Sequence, residues 1–215
     1  MFEKVLSKKA KESLALLGKN QLLKDAYLAG GTALCLQFGH RFSYDFDFFT
    51  QKEFDAKILV QRIKKLLPDF QLERTAWGTI LGYIRRTRFS LFFYDSPLLF
   101  KPHKFLEIDI ANVKDIAPMK VSAISDRGTK RDFIDLFFIL EIKKVLTLEK
   151  ILKLYDEKFK LLKENKFHIL KSLSYFEDAD EDEMPKMIEE VEWQEVKKFF
   201  KEETKRISKI LLREK

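Results

Sequence analysis

Asp45 and Asp47 stand two apart in the run Tyr44-Asp45-Phe46-Asp47-Phe48-Phe49. On a β-strand, residues two apart project to the same face, so both carboxylates point one way while Phe46 and Phe48 point the other. Adjacent carboxylates repel, and burying them unpaired is costly, so the pair calls for positive charge. A hard divalent cation, Mg²⁺ or Mn²⁺, meets that need with few protein carboxylates and fills its remaining shell with water and phosphate oxygens. Upstream lies Leu28-Ala29-Gly30-Gly31-Thr32. Gly30, Gly31 and Thr32 offer backbone that a phosphate can approach and N–H groups at the start of a short helix expected over Ala33–Phe38. His40-Arg41-x-Ser43 lies between the two elements, with Arg41 and Ser43 as further candidate phosphate donors. Gly-Gly-Thr alone is a common helix start, and Asp-x-Asp alone is common at strand ends. Their combination at this spacing points to metal-and-phosphate chemistry.

A second cluster runs from Asp115 to Leu136 and contains Asp115-Ile116-Ala117-Pro118-Met119-Lys120 and Asp126-Arg127-Gly128-Thr129-Lys130-Arg131-Asp132-Phe133-Ile134-Asp135-Leu136. Asp115 reads as a helix N-cap with Pro118 in the first turn. Gly128 then breaks that helix and Asp132 opens the next. Lys120 is expected to reach phosphate, with Arg127 and Lys130 as further cations. Asp132 and Asp135 fall on one helical face, where either could hold Lys120, Lys130 or an arginine. An aspartate at a helix start is also favourable against the dipole without any catalytic part.

Both stretches carry a family resemblance. Gly-Gly-Thr-Ala-Leu, followed by His-Arg-x-Ser-x-Asp-x-Asp-Phe, resembles the AbiEii/AbiGii toxin family of the polymerase β-like nucleotidyltransferase superfamily. The lysine-bearing helix, the Arg-Gly-x-Lys turn and the Asp-x-x-Asp-Leu helix resemble that family's second signature. Leu173-x-Tyr175-Phe176-x-Asp178-Ala179, Pro185-x-Met187 and Val191-x-Trp193 extend the likeness, so it spans nearly the whole chain. The resemblance implies an α+β fold, a mixed nucleotidyltransferase-type sheet with flanking helices followed by a helical C-terminal region. It also implies a third carboxylate from a later strand, often the general base. Asp109 is the candidate, with Glu107 behind it, because Phe105-Leu106-Glu107-Ile108-Asp109-Ile110 reads as one strand that places both acids on a shared face.

The elements that must position these groups follow from periodicity. An amphipathic helix is expected near residues 2–17 and a strand at Tyr27–Ala29. A second helix is expected from about Phe54 to Leu67, ended by Pro68, with Ile58, Leu59, Ile63, Leu66 and Leu67 on one face. Residues 70–111 alternate with period two, giving three or four strands whose middle pair forms a hairpin with Arg85, Arg86 and Arg88 at its turn. Beyond Leu136 the pattern is helical, over Leu148–Leu162, Phe167–Leu173 and Pro185–Leu212. The acidic run Glu177–Glu183 separates the last two. Residues 1–135 are read as the nucleotidyltransferase core and 136–215 as the helical region packed on it.

Composition bounds the function. The chain is 46% hydrophobic with 21 phenylalanines, enough for a packed core. No apolar run approaches the ~20 residues of a membrane helix, and no leader is evident. A single Cys35 excludes an internal disulfide and suits a reducing cytoplasm. His103 and His168 have no metal-ligand spacing. Net charge is +7, and residues 51–131 carry sixteen basic residues against nine acidic. That excess suits a polyanion near the site. The resemblance accordingly implies a metal-dependent enzyme (EC 2.7.7-like), the toxin of an AbiE-like toxin–antitoxin or abortive-infection system, with Mg²⁺ or Mn²⁺ at Asp45 and Asp47. It would transfer NMP from an NTP to a tRNA, another RNA or a protein, opposed by a cognate antitoxin. Two rivals stay open: a nucleotide- or partner-binding module without transferase activity, and a nucleotidyltransferase acting on a small molecule such as an antibiotic. Retention of both aspartates weighs against the first, and the basic middle stretch against the second.

Overall fold

The structure is a computed structural model that describes residues 1–160 and 162–213. The chain divides into two compact units, Met1–Asn112 and Val113–Lys215. Sequence pattern alone places the boundary at residue 135. The division at 112/113 follows from packing, because the helices carrying Lys120 and Asp132 pack against the C-terminal helices.

The first unit holds a seven-stranded mixed sheet. Its strands are β1 (Ala26–Leu28), β2 (Asp45–Thr50), β3 (Phe70–Ala76), β4 (Thr79–Ile84), β5 (Thr87–Phe93), β6 (His103–Phe105) and β7 (Ile108–Ile110). Their spatial order is β3-β4-β5-β2-β1-β7-β6. The β1–β7 and β2–β5 pairs are parallel, and the others are antiparallel. Three helices belong to this unit: α1 (Lys8–Lys19), α2 (Gly30–Phe38) and α3 (Ala56–Leu66). Ser7 caps α1 by accepting from the Ala10 amide, and Asp55 caps α3 by accepting from Lys57 and Ile58. Pro68 forces its neighbour Leu67 to extend (φ −127°, ψ 85°), so α3 ends where expected. Val60, Ile63 and Leu67 form its buried face, whereas Ile58 is 57% exposed.

Beneath the sheet, Phe48 packs on Phe46 (6.3 Å between centroids) and on Phe89 (5.7 Å), which meets Phe70 edge-on at 5.8 Å. Such aromatic pairs contribute about 0.5–1.5 kcal/mol each beyond their buried area.

One expected strand is a hairpin instead. Leu106 and Glu107 take positive φ, 50° and 61°, and turn β6 back onto β7. α1 crosses this turn so closely that a Cβ on Gly18 would lie 1.9 Å from the Leu106 carbonyl oxygen. Five strands therefore fill residues 70–111, not three or four.

The second unit is helical: α4 (Val113–Asp126), α5 (Lys130–Phe137), α6 (Leu148–Phe159), α7 (Leu162–Ser172), α8 (Glu177–Glu181) and α9 (Trp193–Arg213). A π-turn at Phe138–Ile142 extends α5. α4 packs on α6 and α7, and α5 packs on α9. Phe133 anchors this core, with Phe176 at 5.1 Å, Phe200 at 5.4 Å and Trp193 at 5.9 Å. The helix expected over Leu148–Leu162 ends at Phe159, with Lys160 left-handed (φ 58°); residue 161 lies outside the described residues. Pro185–Glu192 is not helical. Within the acidic run, Asp180 accepts from the Trp193 indole N–H (2.6 Å) and from Lys197 (2.8 Å).

Candidate active site

The sequence pattern falls on both units, and each half is described in turn. In the first unit, β2 alternates as its spacing requires. Phe46 and Phe48 are fully buried, and Asp45 and Asp47 are half-buried on the opposite face. Gly30 opens α2 with φ +64°, and a Cβ there would lie 2.8 Å from the Asp47 carboxylate. That conformation and that approach together demand glycine. Backbone stitching fixes the geometry, since the Ala29 amide donates to the Asp47 carbonyl at 2.9 Å. The Thr32 hydroxyl bonds the Asp45 carbonyl and lies 2.7 Å from the Ser43 hydroxyl, with both side chains buried. Thr32 and Ser43 thus brace the helix start against the strand that bears the carboxylates. Arg41 is 3% exposed and donates to the Phe42 carbonyl at 3.0 Å, and His40 beside it is fully buried.

In strand register, Asp45 lies opposite Arg88 and Asp47 opposite Ser90 on β5. Asp109 shares the sheet face but sits two strands away, through Tyr27, with Lys104 3.0 Å from its carboxylate. Glu107 occupies the β6–β7 turn, so the shared strand face expected for Glu107 and Asp109 does not exist. No cluster of three or more His, Cys, Asp or Glu side chains suited to a metal is present among the described residues. The pair alone suits Mg²⁺ or Mn²⁺ that takes its other ligands from water and phosphate.

In the second unit, Lys120 is buried with its Nζ 2.8 Å from Asp132 and 2.6 Å from Asp135. Asp132 also accepts from the Thr129 hydroxyl (2.6 Å) and from Arg127 (3.2 Å). Burial pushes the Asp132 carboxyl up, but Lys120 and Arg127 more than offset that, and it is held at about 2. The helical spacing therefore brings both aspartates to Lys120, and the exposed cation of the cluster is Arg127. Lys130 is turned to a structural end: its amide donates to Asp182 at 2.9 Å and its ammonium to the Asp182 carbonyl. Asp115 is not an N-cap. It lies inside α4, fully buried, 3.3 Å from the equally buried Lys158. Burial pushes the Lys158 ammonium down, and Asp115 opposes this. Sequence spacing carried no signal for that pair, whose members are separated by 43 positions.

A family model described as "Nucleotidyl transferase AbiEii toxin, Type IV TA system" matches residues 14–88 and 89–211. The chain belongs to this family. It is a nucleotidyltransferase of α+β fold, as the resemblance implied. An uncharacterised protein of Aquifex aeolicus (strain VF5) is 41% identical over 211 residues, spanning 93% of this chain and 96% of that one. Among solved structures, JHP933 of Helicobacter pylori aligns with a TM-score of 0.54 at 19% identity, over 97% of this chain and 96% of that one. The antibiotic-resistance factor ANT(2'')-Ia aligns with a TM-score of 0.52 at 10% identity, over 74% of this chain and 99% of its own. These structural likenesses carry the fold. No helix among the described residues is long and apolar enough to cross a membrane.

Proposed function

We propose that this AbiEii-family chain transfers a nucleoside monophosphate from an NTP to an RNA acceptor and is the growth-inhibiting member of a toxin–antitoxin pair. The observation that carries the reading is the half-buried Asp45/Asp47 pair, with Asp47 packed against left-handed Gly30 at the start of α2. In the reaction, an acceptor hydroxyl oxygen bonds to the α-phosphorus as its proton passes to solvent water, the bond to the β-phosphate oxygen breaks, and pyrophosphate leaves. Asp45 and Asp47 would hold the divalent ion, which when bound supplies charge neutralisation at the phosphates. The Gly30–Gly31 backbone receives phosphate oxygens at the helix start, held in place by the Thr32 and Ser43 hydroxyls. In the helical unit, Lys120 is held between Asp132 and Asp135, and Arg127 is the exposed cation beside them. The reading needs only the aspartate pair and gives Asp109, bound to Lys104, no part in proton transfer.

Titrating Mn²⁺ with an NTP tests the site, because a ligand that binds only the folded state raises the melting temperature by mass action. The wild type should show the shift, and a folded Asp45→Asn/Asp47→Asn variant should not. An equal shift in both would sink the assignment. For the pairing, co-expression of the neighbouring reading frame should relieve growth inhibition by the wild type.

A further inference from the structure

The strand register lays out a row of side chains leading away from the carboxylate pair. Asp45 is opposite Arg88, Arg88 opposite Tyr83, and Tyr83 opposite Gln71, so the four share one face across β2, β5, β4 and β3. Asp47 heads the adjacent row, which ends at Arg74. The other face of these strands is core, with Ile80, Ile84, Phe89 and Leu91 buried. On the row's own face Tyr83 is 40% exposed, and Arg88, Gln71 and Arg74 are exposed.

Among the described residues, Arg88, Tyr83 and Arg74 make no ion pair and no side-chain hydrogen bond. Arg85 contrasts with them: it is bound to Glu12 (3.1 Å) and Asp69 (3.4 Å), which removes it from the cations available to a ligand. Two free guanidinium groups and an open phenol beside a carboxylate pair form a surface for a polyanion with flat rings. Strands lie about 4.8 Å apart, so Tyr83 stands roughly 10 Å from Asp45 along the row, near the reach of one nucleotide.

We propose that this face of β3–β4–β5 seats the single-stranded end of the nucleic-acid acceptor, with Tyr83 stacking the base next to the terminal nucleotide and Arg88 and Arg74 holding its phosphates. The proposal rests on the transferase reading above and names the acceptor surface of that same site. Stacking on an aromatic ring tolerates any base, so affinity should depend on single-strandedness more than on sequence.

The test is fluorescence anisotropy of the full chain with a labelled eight-nucleotide RNA, single-stranded or annealed to its complement, over a salt series. The single strand should bind more tightly than the duplex. Tyr83→Ala should weaken single-strand binding by at least about fivefold, the low end of the stacking range. Arg88→Gln should lower the slope of log affinity against log salt by about one, as for one lost phosphate contact. Arg85→Gln should lower the melting temperature and leave the RNA affinity alone. Equal binding of strand and duplex, or indifference to Tyr83→Ala in a variant that melts like wild type, overturns the proposal. A wild type that binds no RNA yet keeps its Mn²⁺–NTP melting shift also overturns it, and leaves the metal site standing. Loss of that shift alone counts against the metal site instead.

Discussion

At the scale of single residues, the second-unit cluster is a buried charge balance. Lys120 holds Asp132 and Asp135, all three nearly inaccessible. Replacing Lys120 with Met leaves two buried carboxylates without their ammonium, and the expected destabilisation in chemical denaturation is about 3–5 kcal/mol. Asp135→Asn, which keeps the ammonium and one of its two carboxylates, should cost less in the same measurement. Asp132 sets a pH dependence. Its carboxyl sits at about 2 in the fold against an ordinary 3.8, so the stability it contributes is present above pH 3.8 and is lost as pH falls toward 2. That share is about 2 kcal/mol, and denaturation curves of Asp132→Asn should be flatter over this interval than those of wild type. Gly30→Ala should cost about 1–2 kcal/mol from the left-handed backbone and should also disturb Asp47, which a melting curve and a Mn²⁺ titration would register. Legibility at this scale followed period. The Asp45/Asp47 face was readable because β2 is a regular strand. The shared strand face expected for Glu107 and Asp109 does not form, because Leu106-Glu107 adopts a positive-φ turn without the glycine or asparagine that announces one.

At the scale of elements, helices bounded by strong signals were readable: Pro68 after α3, and Gly128 between α4 and α5. The pairing of β2 with β5 was not readable, since parallel register over some forty positions leaves no local trace. That pairing puts Arg88 beside Asp45, although in sequence Arg88 looks like one more turn arginine. In sequence the acidic run Glu177–Glu183 reads as a separator between two helices. Part of it is structural: Asp182 receives the Lys130 amide in the first turn of α5, and Asp180 ties down Trp193 and Lys197. Asp182→Ala should therefore loosen α5, at a cost of about 1 kcal/mol, and hydrogen exchange should show the amides of its first turn opening more readily. Gly18→Ala offers a second check. With the Leu106 carbonyl 1.9 Å from the added methyl, α1 must shift, and the melting temperature should fall although alanine favours helices.

At the scale of the whole molecule, a mixed sheet presents two carboxylates on one face, and a separate helical unit holds a lysine between two aspartates. The basic excess over residues 51–131 is less freely available than its count suggests, because Arg85, Lys104, Lys120 and Lys130 are already bound to acidic residues of the same chain. Cations without a partner among the described residues, such as Arg88 and Arg74, are left to meet a polyanion. The central claim is that Asp45 and Asp47 serve metal-dependent nucleotide transfer. The most direct measurement incubates the purified protein with each α-labelled NTP, total RNA, and either Mg²⁺ or Mn²⁺, beside the Asp45→Asn/Asp47→Asn variant. The account predicts that at least one NTP labels RNA, that a chelator abolishes labelling, and that the variant loses it by a hundredfold or more, on the order of 3 kcal/mol of transition-state stabilisation. Labelling by the variant at the wild-type rate, or no labelling from any of the four NTPs with either metal, would contradict it.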